Sequence, residues 1–235
     1  MTPVDFNKMI DNHLARESKP KTVGRYYPSE IGSCLRKTWY SYTDPKPTET
    51  ELIKVFEVGN MVHDFIAKVI KSDKNPHVDL LESELPFKID MKDFVISGRI
   101  DDLLLLKENN MKLLVEVKST KALGMQDKAS PQHVMQLQLY MHQLQIHDGV
   151  VLYVEKNNLH TKAFDIKYDE KVAAEALNRF AKLHKHLSEK KIPVPEARLK
   201  HDMFWMCNYC EWREECYKET PDGGLHNLKA AANGL

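Results

Sequence analysis

Three charged residues in the middle of the chain have the types and spacing that phosphate chemistry needs. Asp101 stands in SGRIDDLLLL, and Glu116 and Lys118 follow in LLVEVKS after a short connection. Hydrolysing a phosphodiester requires a divalent cation to polarise the phosphoryl oxygen and acidify a water, and positive charge to meet the charge that develops on phosphorus. Two carboxylates offer hard oxygen ligands for Mg²⁺ or Mn²⁺, ions that take few protein ligands. The carbonyl of Val117 can add one more, and Lys118 can orient the attacking water or stabilise the phosphate. The competing reading is that all three are solvent-facing strand residues. Against it, their neighbours Ile100, Leu103, Leu104, Val115 and Val117 point to a buried sheet, where isolated charges are costly unless paired or metal-bound.

Positioning these groups requires particular elements. Three strand-like runs, VDLLESELPFKI, DFVISGRIDDLLLL and MKLLVEVKST, are separated by the hairpin-length connections MKD and KENN, so they should pair antiparallel. Alternation along a strand puts Glu116 and Lys118 on one face and Asp101 and Asp102 on opposite faces. Ahead of the sheet, Glu51 to about Ile70 repeats apolar residues at helical spacing and carries His63. Ser29 marks the expected start of another helix with Ile31, Leu35 and Trp39 on its face. A helix capped near Ser130, a hairpin over GVVLYVEKNNLHTKAFDIKY and a long amphipathic helix from about Asp169 to Lys190 complete the pattern. This succession predicts an α/β fold with a mixed central sheet flanked by helices.

Gly98-Arg99-Ile100-Asp101, then Glu116-Val117-Lys118, then Gln136-Leu137-Gln138-Leu139-Tyr140 resemble, in order and spacing, the motifs of the RecB-like branch of the PD-(D/E)XK nucleases. The resemblance implies a restriction-endonuclease-like core over residues 29–217, with residues 1–28 as an N-terminal arm and 218–235 as a flexible tail. It implies Asp101, rather than Asp102, as the metal-binding acid, with Glu116 and the Val117 carbonyl as further ligands. His63, in Gly59-Asn60-Met61-Val62-His63, looks like the metal-ligating histidine of that branch. Gln136 and Tyr140, an i, i+4 pair, would reach a substrate phosphate or brace the lysine. Glu82, on the strand before Asp101, is a weaker ligand candidate.

Cys207, Cys210 and Cys216 lie within ten residues, and Cys34 precedes them by 173 positions. Four thiolates could hold zinc or an iron–sulfur cluster, and spacing does not separate the two. One cysteine before the nuclease motifs and three after them resembles the iron–sulfur nucleases of the AddB, Dna-two and Cas-four groups, which implies a 4Fe-4S cluster joining the two ends of the chain. Size, and the lack of a Walker-type phosphate loop, favour a Cas-four-type CRISPR-associated exonuclease. That resemblance implies 5′ to 3′ action on single-stranded DNA, CRISPR integrase subunits as partners, and an open question of oligomeric state. Alternatives are a DNA-end-binding iron–sulfur partner of an integrase with little turnover, a DNA-repair nuclease outside CRISPR, and a zinc-stabilised nucleic-acid protein.

Composition bounds these readings without choosing among them. The 235 residues can bury a full core, and 34 basic residues balance 34 acidic ones, so DNA contact must come from local patches. One stretch runs from Arg16 through Lys19, Lys21 and Arg25 to Arg36 and Lys37, with Tyr26 and Tyr27 interleaved. A solvated basic face explains it as well. No apolar run is long enough for a membrane span and the start has no signal core, so a cytoplasmic location with no membrane contact is expected.

Overall fold

Period-two alternation in the central segments produces a six-stranded sheet in a computed structural model that describes residues 4–15, 20–221 and 224. In chain order the elements are α1 (Phe6–Leu14), β1 (Arg25–Tyr26), α2 (Leu35–Thr43), α3 (Thr50–Ile70), β2 (Val78–Asp90), β3 (Val95–Leu106) and β4 (Met111–Thr120). Then come α4 (Pro131–Leu144), β5 (Asp148–Glu155), β6 (Thr161–Lys167), α5 (Glu170–Ser188), α6 (Glu196–Leu199) and α7 (Arg213–Glu219). Strands β2, β3 and β4 pair antiparallel, β5 joins β4 in parallel, and β6 closes the edge antiparallel to β5. The sheet is therefore mixed, as the segment pattern predicts.

The register around β3 opens the sheet where the charges sit. β2 pairs with β3 along its length, so β1 and β4 share the other edge: β1 at Val95 and Ile96, β4 at Asp102 to Leu106. Between those two stretches, at Ser97 to Asp101, β3 parts from β4 and leaves a fork. Helices cover both faces. Ile96, Ile100, Leu103, Leu114 and Tyr153 pack against Leu137 and Met141 of α4 and Phe180 and Leu183 of α5. On the opposite face Leu104, Val115, Val117 and Val154 pack against Val62 and Ile66 of α3. Burying each such side chain contributes about 1.5–3 kcal/mol, so the fork is held between two packed layers.

Two expectations need correction. The second helix begins after Cys34 and not at Ser29; Pro28–Glu30 form a 3-10 turn instead. Gly32 explains the delay, because a β-carbon there would lie 1.9 Å from Cβ of Gln132: the chain must pass flat against α4 before a helix can start. The basic stretch is not a free patch either. Tyr26 is fully buried, its hydroxyl 2.8 Å from Nδ1 of His184. Arg36 is buried and donates from Nε to the Pro193 carbonyl and from Nη1 to Thr220 Oγ1. Lys21 pairs with Glu30, and Lys37 with Glu211. Arg16, Lys19 and most of the 218–235 tail lie outside the described residues. Among the described residues no helix is long and apolar enough to cross a membrane.

Candidate active site

The fork substitutes a side chain for a missing backbone partner. Where β3 leaves β4, the Val117 N–H donates to Asp101 Oδ2 at 2.8 Å. This bond fixes the carboxylate against β4 and ties the two strands together across the gap. A strand residue's N–H and C=O point to the same edge, so the Val117 carbonyl also faces the fork. On the helix side, α3 brings His63 Nδ1 to 3.5 Å from Asp101 Oδ1. Asp102, its side chain turned elsewhere, is buried and takes no part in these contacts.

Glu116 and Lys118 share a face, with Lys118 Nζ 2.5 Å from Glu116 Oε1. Glu116 is fully buried, and its Oε2 meets no donor. Burial first, and then the charge of Asp101, push its carboxyl up to about 7 despite the nearby Lys118 and His63. Burial works to lower the His63 and Lys118 pKa values, yet both end above their ordinary range because the carboxylates favour their charged forms. Two carboxylates, one with an unsatisfied buried oxygen, an imidazole and a main-chain carbonyl converging on one fork form a donor set that fits a hard divalent cation.

Surrounding residues brace the fork. Gln136 donates to the Tyr140 hydroxyl at 2.9 Å, and that hydroxyl donates to the Arg99 carbonyl at 3.0 Å. Both side chains are buried. The pair therefore grips β3 two residues ahead of Asp101. One turn earlier on α4, His133 Nδ1 lies 2.7 Å from the Tyr153 hydroxyl, which also accepts the Ser130 N–H. Burial and the charge of Lys118 push His133 down to about 3, so it is a neutral wall beside the lysine. Further along β4 and β5, burial and then the charge of Lys121 lower the pKa of Lys156, which marks two cations close together near the strand ends.

Glu82 does not join the cluster: it pairs with Leu103 on an exposed part of β2. Glu84 takes that place, since ligand atoms of His63, Glu84 and Asp101 all lie within 4.8 Å of one another. The sequence carries a signal for this. Ser83↔Asp102 and Leu85↔Ile100 pair in register, so counting back from the Met91–Phe94 turn sets Glu84 opposite Asp101.

The four cysteines come together around a cavity of their own. Cys34, the N-cap of α2, shares one cavity with Cys207, Cys210 and Cys216, lined also by Arg36, Tyr40, Arg198 and Tyr217. All four are free thiols. Burial raises the pKa of Cys34, Cys207 and Cys210, and for Cys207 the other three sulfurs add to the rise. Gathering four free thiols around one cavity fits a site that holds a metal or a cluster.

A sheet that forks at an acid, with a Glu-x-Lys pair on the next strand, defines a class. The chain matches the PD-(D/E)XK nuclease superfamily over residues 33–217 and belongs to it. Within that class it is 22% identical, over 160 residues covering 66% of this chain and 73% of the relative, to the CRISPR-associated exonuclease Cas4 of Saccharolobus solfataricus. In three dimensions it resembles the crystal structure of SSO0001, with a TM-score of 0.57, 18% identity and coverage of 88% of this chain and 91% of that one. It also resembles LHK-Exo in complex with dAMP, with a TM-score of 0.52, 14% identity and coverage of 72% and 90%. LHK-Exo is an alkaline exonuclease from Laribacter hongkongensis.

Proposed function

We propose that this nuclease is a metal-dependent exonuclease that shortens single-stranded DNA, with Asp101, Glu116, His63 and the Val117 carbonyl holding Mg²⁺ or Mn²⁺. The observation that carries the reading is the pairing of His63 with Asp101 at the fork, beside a fully buried Glu116 whose Oε2 has no hydrogen-bond donor. A bound cation would supply Lewis-acid polarisation of the phosphoryl oxygen and an acidified water. The protein's own part is to hold the reacting groups in place. Asp101 is locked by the Val117 N–H, and α3 presses His63 onto it. Lys118 keeps its positive charge within reach of the phosphate, where it offsets the charge that develops as water attacks phosphorus and the bridging P–O bond breaks. Gln136 and Tyr140 position the strand that bears Asp101.

The relatives narrow the substrate. The similar protein from Saccharolobus solfataricus bears the name CRISPR-associated exonuclease Cas4, and LHK-Exo was crystallised with dAMP, a mononucleotide of the kind an exonuclease releases. On this basis the chain works in CRISPR adaptation beside integrase subunits, with 5′ to 3′ polarity taken from the family resemblance. The four-cysteine site is read as a 4Fe-4S cluster. Polarity is tested with single strands blocked at either end: mononucleotides should appear from a 3′-blocked strand and not from a 5′-blocked one, and the reverse pattern overturns the assigned direction.

A further inference from the structure

Glu84 holds a backbone conformation that its residue type does not favour. It sits in β2 with φ of 56°, in the left-handed region where a β-carbon crowds the following carbonyl and where glycine or asparagine is the usual occupant. Nothing about an exposed strand surface calls for glutamate there. The consequence of the twist is local: it turns the carboxylate across the sheet toward Asp101 and His63, whose ligand atoms lie within 4.8 Å of it and of each other. In this structure Glu84 Oε2 rests 2.8 Å from Arg99 Nε, and Arg99 is two residues from Asp101 on the same strand.

A second observation points to a cation at this place. Glu116, fully buried, has an oxygen with no donor, and it stands next to Val117, whose N–H holds Asp101 across the fork. Glu84 and Asp101 thus offer two carboxylates beside His63, with Arg99 paired to Glu84 and Lys118 paired to Glu116. We infer that Glu84 is a further divalent-cation ligand, sharing Asp101 and His63 with the metal centre proposed above. Arg99 is then the counter-ion that holds the carboxylate when no metal is bound. The inference rests on the metal-centre reading above and adds one ligand to it.

The strained backbone makes the test sharp. Glycine adopts positive φ freely, so Glu84→Gly should melt above the wild type without metal while losing the carboxylate. Mn²⁺ binding is followed by titration calorimetry and by the electron paramagnetic resonance signal of free Mn²⁺, on the full chain with its cysteine site loaded. The expected result is that Glu84→Gly and the shape-preserving Glu84→Gln both weaken Mn²⁺ binding by about tenfold or more, in line with the loss seen when supporting groups of metal sites are removed. Both should also show a smaller metal-induced rise in melting temperature. Asp101→Asn serves as the reference variant. If it loses Mn²⁺ while both Glu84 variants bind as the wild type does, the inference about Glu84 is overturned and the metal centre stands. If the wild type takes up no Mn²⁺, or Asp101→Asn binds unchanged, the metal centre falls and Glu84 with it.

Discussion

Glu116 concentrates the electrostatic tension of the site in a single side chain. Its folded pKa of about 7 stands above the ordinary 4.5, so the folded protein holds this proton more tightly than the unfolded chain does. Stability of the metal-free protein must therefore fall as pH rises from about 4.5 to about 7, because the unfolded state then binds fewer protons than the native one. His63, also raised, adds a loss of the same sign above its unfolded pKa. Urea unfolding of the metal-free protein across that window should show the decline, and Glu116→Gln should flatten it. A cation must displace the same proton, so Mn²⁺ affinity should climb over the same range. In the proposed mechanism Lys118 acts on charge that appears during reaction. Lys118→Ala is expected to lower turnover by roughly 10²–10³-fold while leaving Mn²⁺ binding in place, as measured by parallel kinetics and calorimetry.

Individual elements decide whether those residues meet. Tyr140 is the clamp between α4 and β3: its hydroxyl takes a bond from Gln136 and gives one to the Arg99 carbonyl. Tyr140→Phe leaves the buried Gln136 amide and the part-buried Arg99 carbonyl without this partner, which should cost about 1–3 kcal/mol in denaturant unfolding and lower activity through the displaced Asp101. Gly32 sets the other boundary of α4. Gly32→Ala forces Cβ against Gln132 and should destabilise by about 1–3 kcal/mol or more, the usual range for overpacking. Strand pairing was legible in the sequence because the turns MKD and KENN are short and the alternation is strong. The shared face of Glu116 and Lys118 followed from period two alone. Counting back from the Met91–Phe94 turn sets Glu84 opposite Asp101, but the positive φ at Glu84 is not something glutamate advertises, and Glu82 lies on the same strand two residues away. Helix α3 was legible as a helix but not in its burial: Val62 and Ile66 face the sheet, while Leu52, Phe56, Met61 and Phe65 remain exposed. Apolar periodicity marks a helix without saying how wide a stripe its partner covers.

At the scale of the whole molecule, the fork and the cysteine cavity are built from different parts of the fold. The fork is the proposed seat of the chemistry, and the cysteine cavity ties α2 to the segment after α5. Arg36 reinforces that tie by reaching Pro193 and Thr220, and Arg198 donates to the Thr220 carbonyl. The sequence separation of 173 positions between Cys34 and Cys207 made the closure visible early, because so long a loop is worth closing only through a strong link. The buried arginines were not visible, since in sequence they look like part of a basic patch. Cys34→Ser and Cys216→Ser should lose iron and sulfide and lower the melting temperature by at least about 5 °C, with limited proteolysis opening the 195–221 region first. A colourless, zinc-containing wild-type preparation would overturn the cluster. The central claim is that the fork around Asp101, Glu116 and Lys118 hydrolyses DNA with a bound divalent cation. Its most direct test is the degradation of end-labelled single-stranded DNA by the full chain with Mn²⁺ or with chelator, beside folded Asp101→Asn and Lys118→Ala. The expected result is degradation by the wild type that stops with chelator and in both variants; variants that cut as the wild type does, or cutting that persists in chelator, would contradict it.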